Sequence, residues 1–338
     1  MYLSTPPMML TIALLLVASP MTIQAEERRA MNADELQQIP DNSWSLIVMP
    51  DTQVYAWKYP DNFIAQTRWI ASAEKKHNIK YVLHLGDITE HNSDKEWAVA
   101  QHSMAVLDQA RIPYVLTLGN HDMGDDGKSQ SRDTLLDKYF SYERQAKMKT
   151  FGGAMTRGSL NNTFHLFEAG GREWIVLSLE WAPTDEIVAW ANAVMDQHSD
   201  RHAILVTHAY MFSDDQRYDH TNKDLRHKWN PHSYKTPGSK NDGQRLWEKL
   251  VNKHRFHFTL NGHVLNDGTG YLQSTTDKGN TCHQILTNYQ MREDGGEGFL
   301  KIMEFDPDGT TVRLKAYSPI HDRYLTEIDQ SFVVTLDD

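Results

Sequence analysis

The sequence predicts a mixed α/β fold in which two sheets share one core, and three observations carry that prediction. Short runs rich in Val, Ile and Leu recur along the chain and end at Gly, Asp, Asn or His. Stretches of helical period separate the first three of these runs. Farther along, pairs of β-rich runs flank Gly-containing turns, which is the pattern of a hairpin. Strands alternating with helices pair in parallel through right-handed crossovers, whereas hairpins pair antiparallel, so both modes are expected.

Residues 45–49, 80–85 and 113–118 read as strands buried on both faces, because their apolar residues run continuously instead of alternating with polar ones. Between them, 61–76 sets Phe63, Ile64, Trp69 and Ile70 at helical spacing, and 94–110 does so with Trp97, Val99, Met104 and Leu107. Runs 163–167 and 173–179 surround Ala169, Gly170 and Gly171 as a hairpin. A helix over 184–198, a strand over 203–207, a helix around 243–253 and a strand over 256–260 follow. Runs 299–305 and 310–317 flank Asp306, Pro307, Asp308 and Gly309, a second hairpin. The segment 210–240 is polar and aromatic without a period, and a loop of that length is functional or disordered.

Composition narrows the function classes. The chain has 338 residues, 45 Asp and Glu against 34 Lys and Arg, and a formal charge of −11, so it has no basic field with which to hold a nucleic-acid duplex. One Cys makes neither an internal disulfide nor a zinc-cysteine site, and any metal held by the 17 His residues must share them with carboxylates and amides. Residues 1–25 contain no Asp, Glu, Lys or Arg and run through an apolar core at 8–18 before Glu26, Glu27, Arg28 and Arg29. That pattern is expected to be a cleaved secretory signal peptide, its alternative being an uncleaved anchor, and it predicts a periplasmic or secreted protein. A span needs roughly 20 apolar residues, so no stable membrane span is expected after leader cleavage. An N-terminal extension is expected over 26–43 and one domain over 44–338, with the 210–240 loop inserted in it. Oligomeric state leaves no signal.

Five of the strands stop at a residue able to ligate a metal: Asp51, Asp87, Asn120, His208 and His263. In open α/β sheets, ligands gather beyond the carboxyl ends of strands. Singly, such an Asp is a turn former and such a His makes a structural hydrogen bond; five in order point to a shared site. The blocks Asp51, Thr52, Gln53; Gly86, Asp87; Gly119, Asn120, His121, Asp122; His208; and Gly262, His263 resemble, in that order, the calcineurin-like metallophosphoesterases over roughly 44–317. The resemblance implies a four-layer αββα sandwich of two mixed sheets, two divalent metal ions, and hydrolysis of phosphate mono- or diesters by a metal-bound hydroxide. It implies that Asp87 bridges the metals, that Asp51 binds the first, and that Asn120, His208 and His263 complete the second. His121 would stand beside the substrate and protonate the leaving oxygen, with Glu90 orienting it; a solvated acid is the other reading of Glu90. Such a dyad makes sense because a carboxylate raises imidazole basicity.

Two departures from the pattern fall on one metal. Gln53 stands where the first block has a histidine, and Leu265 where the last block has its second, with Asn266 one place on. The first site would then be oxygen-rich, from Asp51, Asp87 and the Gln53 amide, suiting Mg, Mn or Ca, while the His-containing site suits Mn, Fe or Zn. Where purple acid phosphatases carry a metal-binding tyrosine, this chain has Glu90. A small phosphorylated substrate would be chosen by nearby loops, with His91, Asn120, Tyr210 and Arg292 as candidate contacts. Two rivals stay open at this point: a relative that binds phosphorylated ligands without hydrolysing them, and an exported carbohydrate-binding or adhesion module suggested by nine Trp and fourteen Tyr.

Overall fold

In the computed structural model, described at Met1 and over residues 28–337, two mixed sheets of eight and seven strands lie between helical layers. The leader expected at 1–25 falls, but for Met1, outside the described residues. The larger sheet runs Arg29–Ala30, Phe332–Thr335, Thr311–Ser318, Leu300–Phe305, Trp44–Met49, Ile79–His84, Tyr114–Leu116, with Arg323–Tyr324 added on Thr311–Ser318. The smaller runs Thr269–Thr275, Thr281–Thr287, Phe256–Asn261, His202–Thr207, Arg172–Leu179, Thr163–Ala169, Phe151–Ala154. Trp44–Met49, Ile79–His84 and Tyr114–Leu116 pair in parallel, as do Arg172–Leu179, His202–Thr207, Phe256–Asn261 and Thr281–Thr287.

Strand alternation explains the four layers. Leu46 and Val48 join Trp174, Val176, Ile204 and Val206 in the core between the sheets, and Trp44 stacks on Phe305 with ring centroids 4.0 Å apart. Ile47 and Met49 face the other way, into a core with Phe63, Ile70, Trp97 and Leu107 of the helices Pro60–His77 and Asp94–Ala110. Both faces are covered, so the continuous apolar run needs no polar alternation. Helix limits follow from local chemistry: Pro60 opens the first helix and Asn78, in the left-handed region, ends it. Ser93 and Thr184 accept the capping hydrogen bonds of the helices Asp94–Ala110 and Asp185–Gln197.

The structure adds strands that the sequence pattern hid. Thr269–Thr275 and Thr281–Thr287 carry Gln273, Ser274, His283 and Gln284 where apolar residues would announce a strand. These polar groups partner one another: Gln284 donates to Ser274 Oγ at 2.9 Å, and Tyr271 Oη meets His283 Nδ1 at 2.9 Å. The N-terminal extension, where described, pairs Arg29–Ala30 with the strand Phe332–Thr335 and forms the helix Ala33–Gln37, capped by Asn32. The helix expected around 243–253 spans Gly243–Lys249 and passes into a separate turn at Val251–Lys253. The 210–240 segment lacks long regular elements, but buried Tyr210, Met211 and Tyr218 anchor it. No helix among the described residues is long and apolar enough to cross a membrane.

Candidate metal centre

The turns after five parallel strands, three from one sheet and two from the other, converge on one point. Two glycines permit the approach. A Cβ on Gly262 would stand 2.0 Å from Asp51 Oδ1, and one on Gly119 would stand 2.1 Å from Asp87 Oδ1, so any side chain at either position would displace a carboxylate. Asp87 and His263 themselves adopt positive φ, 45° and 72°, which turns their side chains sharply off the strand ends.

Around that point, Asp87, His208 and His263 each offer a ligand atom within 4.8 Å of the others, and all three are buried. His208 Nε2 lies 3.1 Å from Asp87 Oδ2, while its Nδ1 donates to the Leu85 carbonyl at 2.8 Å. His263 Nε2 donates to the Trp229 carbonyl at 2.8 Å, leaving Nδ1 as the acceptor nitrogen. Asp51 accepts the His263 backbone N–H at 3.0 Å and the Asn288 amide at 2.9 Å. Such outer hydrogen bonds fix which atom a ligand presents. Gln53 Oε1 and Asn120 Oδ1 are buried without a hydrogen-bond partner, and buried His208 Nε2 faces Asp87. Unpartnered buried acceptors are rare, and here they surround a buried carboxylate, so the donor set fits divalent cations.

The electrostatics agree with that fit. Burial raises Asp51 to about 7 against the pull of His208, with neighbouring Asp87 raising it further. Burial also works against ionised Asp87, but His208 and His121 hold its carboxyl below the usual range. Burial, reinforced by His208, lowers His263 to about 3 and keeps its ring neutral, the form that ligates metal. Two buried carboxylates this close oppose joint ionisation until positive charge is placed between them.

Asp122 organises the loops from beneath. Its buried carboxylate accepts the backbone N–H groups of Ile88, Thr89 and Gly119 and the Thr89 hydroxyl, tying the turn of Asp87 to that of Asn120. His121 lies above, half-exposed, its backbone N–H donating to Asp87 Oδ1 at 2.9 Å. The expected partner of its ring is Glu90, and the contact differs in kind from the expectation. His121 Nδ1 donates to the Glu90 backbone carbonyl at 2.8 Å, whereas the carboxylate lies 3.9 Å away and accepts the Gln53 amide at 2.7 Å. The carboxylate therefore orients Gln53, and with it the orphaned Oε1.

A cleft of about 350 Å³ opens over the centre, bounded by Gln53, Asp87, Asn120, His121 and His263 and walled by Trp57, Trp229 and Tyr234. Of the substrate candidates, Asn120 lies in it. His91 does not line it; its Nδ1 is held by Glu96 at 2.7 Å, with its ring edge-on to Trp57 of the cleft wall. Tyr210 is corrected: it is fully buried in the core, because the chain past His208 continues into the apolar interior. Arg292 pairs with Glu297, lies over Phe299, and lines an adjoining cavity of about 300 Å³ that shares Leu265 and Met291 with the cleft. Leu265 lines the cleft, and Asn266 turns away to donate to Ser213 Oγ at 2.7 Å. Asn288 opens the Gly-rich turn 288–296 and lies outside the five blocks, so its role behind Asp51 comes from the packing. Asp122 belongs to the Gly119–Asp122 block, and its role follows from the packing of the two loops on each other.

Residues 45–267 match the model of the calcineurin-like phosphoesterase family. An uncharacterized protein, YvnB of Bacillus subtilis strain 168, is 33% identical over 301 residues, covering 86% of this chain and 21% of that protein. The chain thus spans about a fifth of that relative's length. Among solved structures, GAP50, the anchor in the inner membrane complex of Plasmodium, aligns at a TM-score of 0.45 with 11% identity, covering 88% of this chain and 90% of its own. The calcineurin-like phosphoesterase YfkN from Bacillus subtilis aligns at 0.39 with 11% identity, covering 88% and 91%. By the family model and the extent of its match, this chain belongs to the calcineurin-like phosphoesterase family.

Proposed function

We propose that this protein is an exported, periplasmic or secreted hydrolase of phosphate mono- or diesters that uses two divalent cations. The observation that supports this most is the buried cluster of Asp87, His208 and His263 together with the unpartnered acceptors Gln53 Oε1 and Asn120 Oδ1, with His121 lining the same cleft. Asp51, Gln53 and Asp87 would hold one cation, and Asp87, Asn120, His208 and His263 the other. Bound there, the cations supply a water of near-neutral pKa and offset phosphate charge.

The chain's own residues do the rest. With Nδ1 given to the Glu90 carbonyl, His121 turns Nε2 toward the cleft, where the protonated ring donates to the departing alcohol oxygen. Burial opposes that protonated form, but Asp87 and the Glu90 carboxylate favour it more, and the net effect raises the ring above its usual range. Trp57, Trp229 and Tyr234 confine the ester and limit water around the leaving group. Hydrolysis of p-nitrophenyl phosphate and bis-p-nitrophenyl phosphate with added manganese, abolished by chelator and restored by metal, is the expected result. Metal binding with no turnover of either ester would instead favour a ligand-binding relative.

A further inference from the structure

We propose that His220, His232 and Asp242 form a second cation site, separate from the centre above, which takes one zinc-class divalent ion and staples the 210–240 segment to the helix Gly243–Lys249. Each residue offers one ligand atom within 4.8 Å of the other two. His220 Nδ1 is 3.0 Å from Asp242 Oδ2, and His232 Nε2 is 3.8 Å from the same oxygen. A tetrahedral zinc ion with bonds of about 2.0–2.2 Å has ligand-to-ligand edges of roughly 3.3 Å, so the two spacings bracket the required one.

A plain His–Asp hydrogen bond accounts for His220 and leaves His232 unexplained. His232 Nε2 is buried without a hydrogen-bond partner. The two imidazoles stack with centroids 3.5 Å apart and planes 15° from parallel, so one ion lies in both ring planes only after the His232 ring turns about its side-chain bonds. Its neighbours are fixed as metal-ligand supports usually are. The His232 backbone N–H donates to Asn230 Oδ1 at 2.9 Å, and buried Asp242 accepts the His220 backbone N–H at 2.8 Å while capping the helix through Arg245 N. Two imidazoles and a carboxylate, with the histidine side chains partly open to solvent, make a three-ligand set with room for water.

The position gives the site a purpose. Trp229 and Tyr234, on either side of His232 in the chain, wall the catalytic cleft, and the Trp229 carbonyl accepts from His263. A cation closing 220, 232 and 242 on one another would hold that wall in place although it has no long helix or strand.

The test is zinc content of the full chain after equilibration with a small excess of zinc and desalting. Parent protein should retain one equivalent more than the double variant His220→Ala/His232→Ala, and proteolysis within 210–240 should be at least tenfold faster in the variant. His232→Gln, which keeps the bulk of the side chain and the backbone contacts, guards against misfolding and should lose the same single equivalent. Equal zinc in parent and His232→Gln overturns the proposal, whether or not the protein hydrolyses phosphate esters.

Discussion

His208 and Leu85 are joined by a hydrogen bond of 2.8 Å that decides which imidazole nitrogen faces Asp87. A carbonyl accepts only, so Nδ1 gives its proton to Leu85 and Nε2 is the nitrogen turned to Asp87 Oδ2. Burial opposes the charged ring, but Asp87 outweighs it and raises His208 to about 9, and a bound cation would take the place of the Nε2 proton. One strand end of the larger sheet thereby sets the tautomer of a side chain from the smaller. His208→Ala should lose bound metal while keeping a cooperative melt; metal content equal to the parent's, measured on the desalted protein, would remove His208 from the ligand set.

Asn288 tests the layer behind the ligands. Its amide donates to Asp51 Oδ2 at 2.9 Å and belongs to none of the sequence blocks. Asn288→Ala should weaken metal affinity by roughly 10- to 100-fold, the usual cost of losing such a partner. A competition titration against a chelator reads the change, and an unaltered affinity would leave Asn288 with a packing role alone.

His121→Ala should separate chemistry from metal binding. The ring is held by the Glu90 carbonyl through Nδ1. Metal content should therefore persist while kcat on bis-p-nitrophenyl phosphate falls by about 10²–10⁴, the share general acid catalysis contributes. Loss of metal together with activity would place His121 among the ligands.

The asymmetry proposed between the two cation positions predicts a gain. Leu265 lines the cleft where the family pattern has an imidazole, and Asn266 points elsewhere. The parent should hold one cation more firmly than the other on stepwise chelation, and Leu265→His should slow loss of the weaker. Two equally retained zinc ions in the parent would contradict an asymmetric centre.

Buried histidines far from the centre should make the fold acid-sensitive. His165 sits between the rings of Tyr81 and Phe151, and burial lowers it to about 3. The unfolded chain takes up a proton below about 6.5 while the folded ring stays neutral, so its contribution is whole above that pH and is lost as pH falls toward 3. The loss approaches 1.4 kcal/mol per pH unit, roughly the energy of one proton's difference. Denaturant melts of His165→Phe should show a shallower acid limb than the parent; parallel limbs would mean the ring becomes protonated without unfolding.

How far the sequence could be read depended on the range of the interactions involved. Continuous apolar runs such as 45–49 announced strands because both of their faces are covered, and Asp94–Ala110 announced its helix by period and by the Ser93 cap. Strands Thr269–Thr275 and Thr281–Thr287 stayed hidden, since their polar side chains find partners only in the fold, Gln284 and Ser274 with each other across the ladder and both with Arg217. Tyr210 shows the opposite error: adjacency to His208 in the chain suggested the cleft, but one residue past a ligand the backbone can already lead into the core.

Residue type and order were enough to single out Asp51, Asp87, Asn120, His208 and His263, because five strand ends in succession stop at Asp, Asn or His, and the family resemblance added Gln53. Tertiary structure alone decided that Glu90 offers His121 its carbonyl and Gln53 its carboxylate, that Asn288 stands behind Asp51, and that His220 and His232 stack over Asp242. Hydrogen bonds and ion pairs are made or lost on differences of a few tenths of an ångström in the separation of groups far apart in the chain, and only the folded packing sets those separations.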